Sequence, residues 1–230
     1  MIVRISGLEH LFVTQPDHAH LARRVMEHSV ALRAHPRAAA ILLAIGEHDN
    51  GWAEADAAPS IDITTGEPHD FVKAPIAVRH EVWPRGIMRL ANDPWAAALV
   101  AQHAITVYDR FRPDPAWTPF FEHMETLRAD MLRASSGPLQ DLLDDYPFVR
   151  LGDLISLVFC TGWTDPQQFA QWTVTGSGDH VSVTPDPFGG VAIPLEVDAR
   201  RLPRGTYRSD DELREKLARA ELTRLRGEVL

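Results

Sequence analysis

The sequence predicts a mainly α protein: a helical bundle that carries a small antiparallel β appendage and a terminal helix towards its C-terminus. Two observations support this fold class. Apolar residues recur at helical spacing in successive stretches up to residue 163, as on helices that bury one face. Beyond residue 164, short alternating or β-branched runs lie between Gly-rich turns, which is typical of antiparallel strands. Residues 1–163 are therefore expected to form the helical domain. Residues 164–230 should form the appendage and terminal helix, packed on the same domain.

Composition limits the class of protein. A chain of 230 residues with 45% hydrophobic and 24% charged residues can bury a sizeable core. The net charge of −9 disfavours nucleic acid as a partner, because a phosphate backbone requires a basic face. No apolar run approaches the roughly 20 residues of a membrane span, and no signal segment is recognisable at Met1. A soluble, cytoplasmic protein with no membrane partner is expected.

The first predicted helix begins after Thr14, which suits an N-cap, and Asp17 can accept the free amides of its first turn. His18 precedes Leu21 and Val25 by three and seven positions, so it shares their inward face. A lone histidine on an apolar helix face is more often a hydrogen-bonded core residue than a metal ligand. His18 becomes a candidate metal ligand only together with the donors described below.

The second predicted helix opens at Pro36, is nearly unbroken apolar from Ala38 to Ala44, and ends with His48 and Asp49. A buried carboxylate costs several kcal/mol unless it is paired or bound to a cation. Asp49 therefore needs a partner, and a metal ion held jointly with imidazoles would supply one. The alternative is that Asp49 caps a local turn and His48 donates to a backbone carbonyl.

Regular structure is expected to fade between residues 50 and 93, where prolines and turn residues recur. A connection of this length within a compact domain is usually functional. Since it starts at the His-Asp pair, it is expected to cover the proposed site. The predicted pocket-lining residues, each of which could equally serve packing or turns, are Trp52, Glu54, Asp62, Thr65 and Phe71.

Later helices supply further candidates. A helix from Pro94 carries His103 behind apolar residues, and an amphipathic helix is expected over 119–135. Two more helices are predicted, a short one over 139–145 and a buried one over 148–159. Asp153 sits within the apolar stripe of the latter, where an unpaired carboxylate would be expensive. It is the best candidate for the last ligand. Cys160 is expected to be a buried apolar side chain.

Six motifs are spread along nearly the whole chain: Gln15-x-Asp17-His18-Ala19, His48-Asp49-x-Gly51-Trp52, Asp62-x-x-Thr65-Gly66-x-Pro68, Ala98-Leu99-Val100-x-x-His103, Asp153-Leu154-Ile155-Ser156-Leu157 and Thr184-Pro185-x-Pro187-Phe188. With these motifs the chain resembles an uncharacterised bacterial family, domain of unknown function 3891. That family name implies no activity.

The order His, His-Asp, Asp on successive helices also resembles the HD superfamily of metal-dependent phosphohydrolases, which implies an HD-like helical bundle. The resemblance implies that His18, His48, Asp49 and Asp153 are metal ligands, with Asp49 and His48 at the catalytic centre. His103 falls where some dinuclear members place a further histidine. The second extra histidine of those members has no counterpart here, so one ion is expected.

Two imidazoles and two carboxylates suit a divalent transition metal, Mn, Fe, Co, Ni or Zn, better than calcium. Such an ion can bind a phosphoryl oxygen and activate water near neutral pH. The expected activity is hydrolysis of a small phosphorylated metabolite or nucleotide. The cationic residues considered as phosphate donors are Arg24, Lys73, Arg79 and Arg89.

Two other functional classes stay open at this point. One is a di-iron oxygenase on the same helical scaffold, which needs the missing histidine. The other is a sensory or structural module that keeps the metal, or only the buried polar cluster, without turnover. A homodimer is compatible with the amphipathic helices and with the β appendage.

Overall fold

The computed structural model of the protein describes residues 1–230 and shows an α/β fold, so the expectation of a mainly α, all-α protein was wrong. Its seven strands form one mixed sheet that curls into a half-barrel, in the order β1-β2-β6-β7-β5-β4-β3. The strands are β1 (Ile2–Ser6), β2 (Glu9–Val13), β3 (Gln167–Phe169), β4 (Trp172–Ser177), β5 (His180–Thr184), β6 (Ile193–Pro203) and β7 (Glu221–Val229). All neighbouring strands are antiparallel except β5 and β7.

Nine helices accompany the sheet. They are α1 (Gln15–Met26), α2 (Val30–Arg33), α3 (Ala38–Glu47), α4 (Ala53–Ala57), α5 (Ile76–Arg89), α6 (Pro94–Tyr108), α7 (Thr118–Ser135), α8 (Leu139–Thr161) and α9 (Asp210–Ala218). Helices α1 and α8 pack directly against the sheet. None of the nine combines the length and apolar composition that crossing a lipid bilayer requires.

Strands at both ends of the chain account for the error in fold class. The first residues form a hairpin, β1 and β2, and β2 pairs with β6 nearly two hundred positions later, with His10 opposite Leu202. The predicted terminal helix ends at Ala218, and the residues after it form β7. Arg224 and Arg226 lie on the exposed face of β7 and pair with Asp198 and Glu196 on β6. Charged residues two positions apart lie on the same face of a strand, but the high content of charged residues in this segment suggested a helix.

The segment 50–93 is more regular than expected, because it contains α4 and the 14-residue helix α5. Proline inside a helix costs about 3 kcal/mol, yet α5 continues through Pro84. It buries Val82, Trp83 and Ile87 in the core, which offsets that cost. For the same reason the two helices predicted around Pro147 are one continuous helix, α8.

One hydrophobic core of 50 buried residues joins the helices to the inner face of the sheet. It includes Cys160, a free and buried thiol as the sequence predicts. A second core of 6 buried residues lies on the outer face beneath α9, and β2 contributes to both, Leu11 to the first and Phe12 to the second. This alternation of faces is the two-residue period of a strand. The sheet is therefore part of the main body, with a core on each face.

The approach of β7 to the β4–β5 turn predicts a sensitive position. A Cβ at Gly227 would lie 1.9 Å from the Asp179 carbonyl oxygen and 2.6 Å from the Phe159 ring. Because the backbone of a paired strand cannot shift without breaking its hydrogen bonds, Gly227→Ala is expected to lower the free energy of unfolding by about 3 kcal/mol. Urea denaturation measures the effect. Gly205→Ala, which adds a methyl in open space, is the control and should change stability by less than about 0.5 kcal/mol. Equal effects of the two substitutions would contradict this packing.

Candidate metal centre

Four helices bring the sequence-predicted donors together. His18 lies on α1, His48 is the C-cap of α3 with Asp49 directly after it, His103 lies on α6, and Asp153 lies on α8. All five are buried, and the most exposed, Asp49, keeps only 5% of its surface. Each donor lies on, or directly after, the apolar helix face that packs into the core. The residues that pack the four helices together therefore also place the donors.

The donor atoms form two overlapping groups: His18, His48 and Asp49, and then His48, His103 and Asp153. Asp49 Oδ2 lies 2.8 Å from His18 Nε2 and 3.5 Å from His48 Nε2. Asp153 Oδ1 lies 3.4 Å from His48 Nε2, and Asp153 Oδ2 lies 3.7 Å from His103 Nε2. Both groups depend on the same nitrogen, His48 Nε2. One nitrogen atom binds one ion, so the arrangement suits a single metal.

Hydrogen bonds on the far side of each ring fix which nitrogen faces the cluster. His48 Nδ1 donates to the Ile45 carbonyl over 2.7 Å. His18 Nδ1 lies 2.8 Å from Ser156 Oγ, whose own hydrogen goes to the Asp153 carbonyl, so Ser156 accepts from His18.

His103 follows the same pattern, since its Nδ1 lies 3.2 Å from the Tyr146 hydroxyl. With the three Nδ1 atoms engaged on the far side of each ring, the three Nε2 atoms all face the two carboxylates, where they can present lone pairs to a bound cation. Metal-binding imidazoles are usually held in this way by a second hydrogen bond.

The electrostatics of the cluster follow from burial and from the two carboxylates. Burial alone would lower the pKa of His48, but Asp49 and Asp153 outweigh it and raise that pKa to about 9. Burial lowers the pKa of His103 to about 3, with only partial compensation from Asp153. Burial raises the pKa of Asp153, but Arg150 and His48 more than reverse this, and its pKa falls well below the usual range. His48 thus carries the proton that the cluster needs when no other cation is present.

The donor set fits a divalent transition ion. His48 Nε2 is fully buried and has no hydrogen-bond partner, although two carboxylates face it. A cation placed among these atoms would satisfy the orphaned nitrogen and offset the two negative charges together. Imidazole nitrogens and carboxylate oxygens are ligands that Zn, Fe, Mn, Co and Ni accept.

Sequence reasoning missed three residues that support the donors: Tyr146, Arg150 and Ser156. Arg150 forms an ion pair with Asp153 at the edge of the cluster, with its side chain 22% exposed. All three lie on α8 on the same side as Asp153, at separations of seven, three and three residues. That helical spacing was a usable signal, but the sequence alone does not reveal which of many such neighbours touch a buried ligand.

The five predicted pocket residues do not share one place. Trp52 and Phe71 line the same small cavity of about 110 Å³, and the indole nitrogen of Trp52 is buried without a partner. Glu54 lies on the surface and pairs with Arg85 and Arg89.

Asp62 and Thr65 belong to an exposed turn in which Asp62 Oδ1 accepts the amide of Thr65. The turn packs beside the second core, where Ile61 contributes and where Tyr207 N donates to the Gly66 carbonyl. Asp62 and Thr65 therefore serve turn geometry away from the donors.

Comparison with known proteins gives a family but no activity. A family model described as "Protein of unknown function (DUF3891)" matches residues 1–204. The chain belongs to the DUF3891 family. No curated protein and no solved structure matches this DUF3891 protein. All five donor residues lie within the matched range, whereas α9 and β7 follow it.

Proposed function

We propose that this DUF3891 protein is a metal-dependent phosphohydrolase with a mononuclear centre, acting on a small phosphorylated metabolite or nucleotide. The observation that carries the proposal is that three buried imidazoles and two buried carboxylates form two donor groups that share His48. The chain order His, His-Asp, Asp on α1, α3 and α8 supports a relationship to the HD superfamily. The large mixed sheet makes that relationship one of site arrangement, since an HD-like all-helical body does not describe this chain.

The ligands are His18, His48, His103, Asp49 and Asp153. When bound, a divalent ion polarises a phosphoryl oxygen and lowers the pKa of a water molecule. His103 stays neutral at physiological pH because of its lowered pKa, and so keeps its Nε2 lone pair available. Arg150 holds Asp153 in its charged form through their ion pair.

Asp49 is best suited to position water. Its Oδ2 contacts both His18 and His48, whereas its Oδ1 makes no hydrogen bond to protein, and its side chain is the most exposed among the donors. A carboxylate with one anchored oxygen and one free oxygen can accept a proton from a water at its open side.

A second candidate is a metal-binding module that does not turn over a substrate. The burial of the donors favours it, because His18 and His48 have no exposed side-chain surface. A di-iron oxygenase has less support, since the two donor groups share a single nitrogen.

The proposal is tested with protein loaded with Mn, Fe, Co, Ni or Zn and assayed against phosphomonoesters and nucleotides. Metal-dependent phosphate release is expected, and Asp49→Asn should reduce turnover by at least about 100-fold, as for loss of a general base. Phosphate release that is unchanged in Asp49→Asn would contradict this role. A loaded protein that is inert to the whole panel would favour the non-catalytic module.

Ser156 provides a further prediction because it orients His18 without being a ligand. Ser156→Ala is expected to weaken metal affinity by about 10–100-fold, as for loss of other residues that support ligands. Competition with a chromogenic chelator measures the affinity. Ser135→Ala is the matched control, since Ser135 also donates to a carbonyl three residues earlier over 3.0 Å but lies on α7. A Ser156→Ala protein with wild-type affinity would show that this hydrogen bond does not set the ring of His18.

A further inference from the structure

Arg79 on α5 is a buried cation without a carboxylate partner. Only 9% of its surface is exposed, its Nε is buried without any hydrogen-bond partner, and its one protein acceptor is the Val72 carbonyl. A buried charge is expensive unless it is paired. In a chain with 32 acidic residues, the absence of a carboxylate beside this guanidinium is informative. It points to an anion that comes from outside the chain.

The surroundings of Arg79 are aromatic and contain a second unpaired cation. The guanidinium lies 5.8 Å from the ring centre of Tyr108 and 5.9 Å from that of Phe111. Arg110 lies 4.8 Å from the same Phe111 ring, is exposed, and also forms no ion pair. Two guanidinium groups therefore lie against one aromatic ring, and guanidinium groups bind oxyanions through two parallel N–H donors.

The other cations considered from the sequence are already engaged elsewhere. Arg24 donates to the Glu196 carbonyl, and Arg89 pairs with Glu54. Lys73 is 68% exposed and lies 4.0 Å from Glu67. Among these four candidates, only Arg79 is both buried and free of a carboxylate.

Aromatic side chains connect Arg79 to the metal centre. Trp83 lies one helical turn after Arg79 on α5, and its ring is 5.7 Å from His103 and 6.0 Å from Tyr108. Tyr108 is affected by charges on both sides: burial raises its pKa to about 12, Arg79 opposes that shift, and Asp49 adds to it. Two aromatic rings, Tyr108 and then Trp83, therefore link the Arg79 guanidinium to His103 of the donor cluster.

We propose that Arg79, assisted by Arg110, binds a phosphoryl oxyanion. Assigning that anion to a substrate of the metal centre rests on the proposed function, but the binding site itself does not. The apolar walls of Tyr108 and Phe111 strengthen the interaction, since they exclude water from the guanidinium.

The test uses the purified full chain, with and without metal, and inorganic phosphate as the probe. Titration calorimetry and thermal unfolding are measured for wild type, Arg79→Met and Arg110→Met. Phosphate is expected to bind and to raise the melting temperature of wild type in both metal states. Arg79→Met should weaken binding at least tenfold and Arg110→Met severalfold. Arg89→Met, on the same helix but paired with Glu54, is the control and should bind phosphate as wild type does.

A second readout separates binding from a structural role. In phosphate-free buffer Arg79→Met should melt at a higher temperature than wild type, because it removes an unpaired buried charge. A lower melting temperature combined with an unchanged response to phosphate would overturn the inference, as would a wild type that does not respond to phosphate. If Arg79→Met fails to fold, Arg79→Lys decides. The Arg79→Lys variant keeps the positive charge but lacks the two parallel N–H donors of a guanidinium, so it should bind phosphate more weakly than wild type. Unchanged binding would also overturn the inference.

These outcomes are distinguishable from failure of the proposed function. If the protein binds no metal but still binds phosphate through Arg79, the phosphate site is supported and the hydrolase proposal is contradicted. If the protein binds metal but does not respond to phosphate, the metal centre is supported and the phosphate site at Arg79 is contradicted.

Discussion

Purified protein is expected to contain about one divalent transition-metal ion per chain, and His48→Ala and Asp153→Asn should each reduce that content to trace amounts. His48 Nε2 belongs to both donor groups, so its loss removes the atom on which either group depends. Asp153→Asn keeps the size of the side chain but replaces a charged donor that faces two imidazoles. Elemental analysis of protein purified without added metal measures the effect.

The control for this prediction is His20→Ala. His20 lies on the same helix as His18, but its side chain is 52% exposed and faces away from the cluster. Its loss should leave the metal content unchanged, and circular dichroism should show that all variants are folded. If wild type takes up no ion even after incubation with Mn, Fe, Co, Ni or Zn, the cluster is a buried polar network in which His48 carries a proton.

Asp145→Ala is expected to lower the free energy of unfolding by about 3–5 kcal/mol. The Asp145 side chain is fully buried on α8 and accepts two hydrogen bonds from Arg37, at 2.6 and 2.9 Å, and a third from the Trp95 indole at 2.9 Å. His35 lies 3.3 Å from it. Removing this carboxylate leaves the Trp95 indole N–H without its acceptor and leaves Arg37, at the start of α3, only its exposed pair with Asp141 on α8. Chemical denaturation measures the loss.

Asp141→Ala gives a matched comparison because Asp141 pairs with the same guanidinium, at 3.1 Å, but is 43% exposed. Exposed ion pairs contribute about 0–1 kcal/mol, so this variant should unfold nearly as wild type does. A similar cost for both variants would mean that burial does not determine the strength of the network.

Local sequence was a good guide to the helices that carry the donors. Thr14 does cap α1 and accepts the amide of Asp17, and α6 begins at Pro94 as expected. Asp153 stood out because a carboxylate in an apolar stripe needs a partner, and in the structure it has Arg150 and two imidazoles nearby. These features depend on residues within a few turns of one another, which periodicity and capping rules describe. Whether the donors bind metal is a separate prediction.

The sheet could not be predicted in the same way. Pairing of β2 with β6 and of β5 with β7 joins residues that are far apart in sequence, such as His10 with Leu202 and Val181 with Val229. A strand is stabilised by its neighbours on both sides, so its local pattern is weak evidence. The extended first residues and the charged last residues therefore showed no sign that they belong to one sheet.

The sequence by itself determined that a histidine, a His-Asp pair, a second histidine and an aspartate would lie on the buried faces of helices, because burial of apolar neighbours dictates those faces. Only the tertiary structure decided that these side chains form two donor groups sharing His48, that Ser156, Ile45 and Tyr146 turn the three Nε2 atoms inward, and that Arg79 is left without a carboxylate. The physical reason is that a hydrogen bond or an ion pair depends on distances of a few ångströms between residues on different elements. Spacing along the chain does not set those distances.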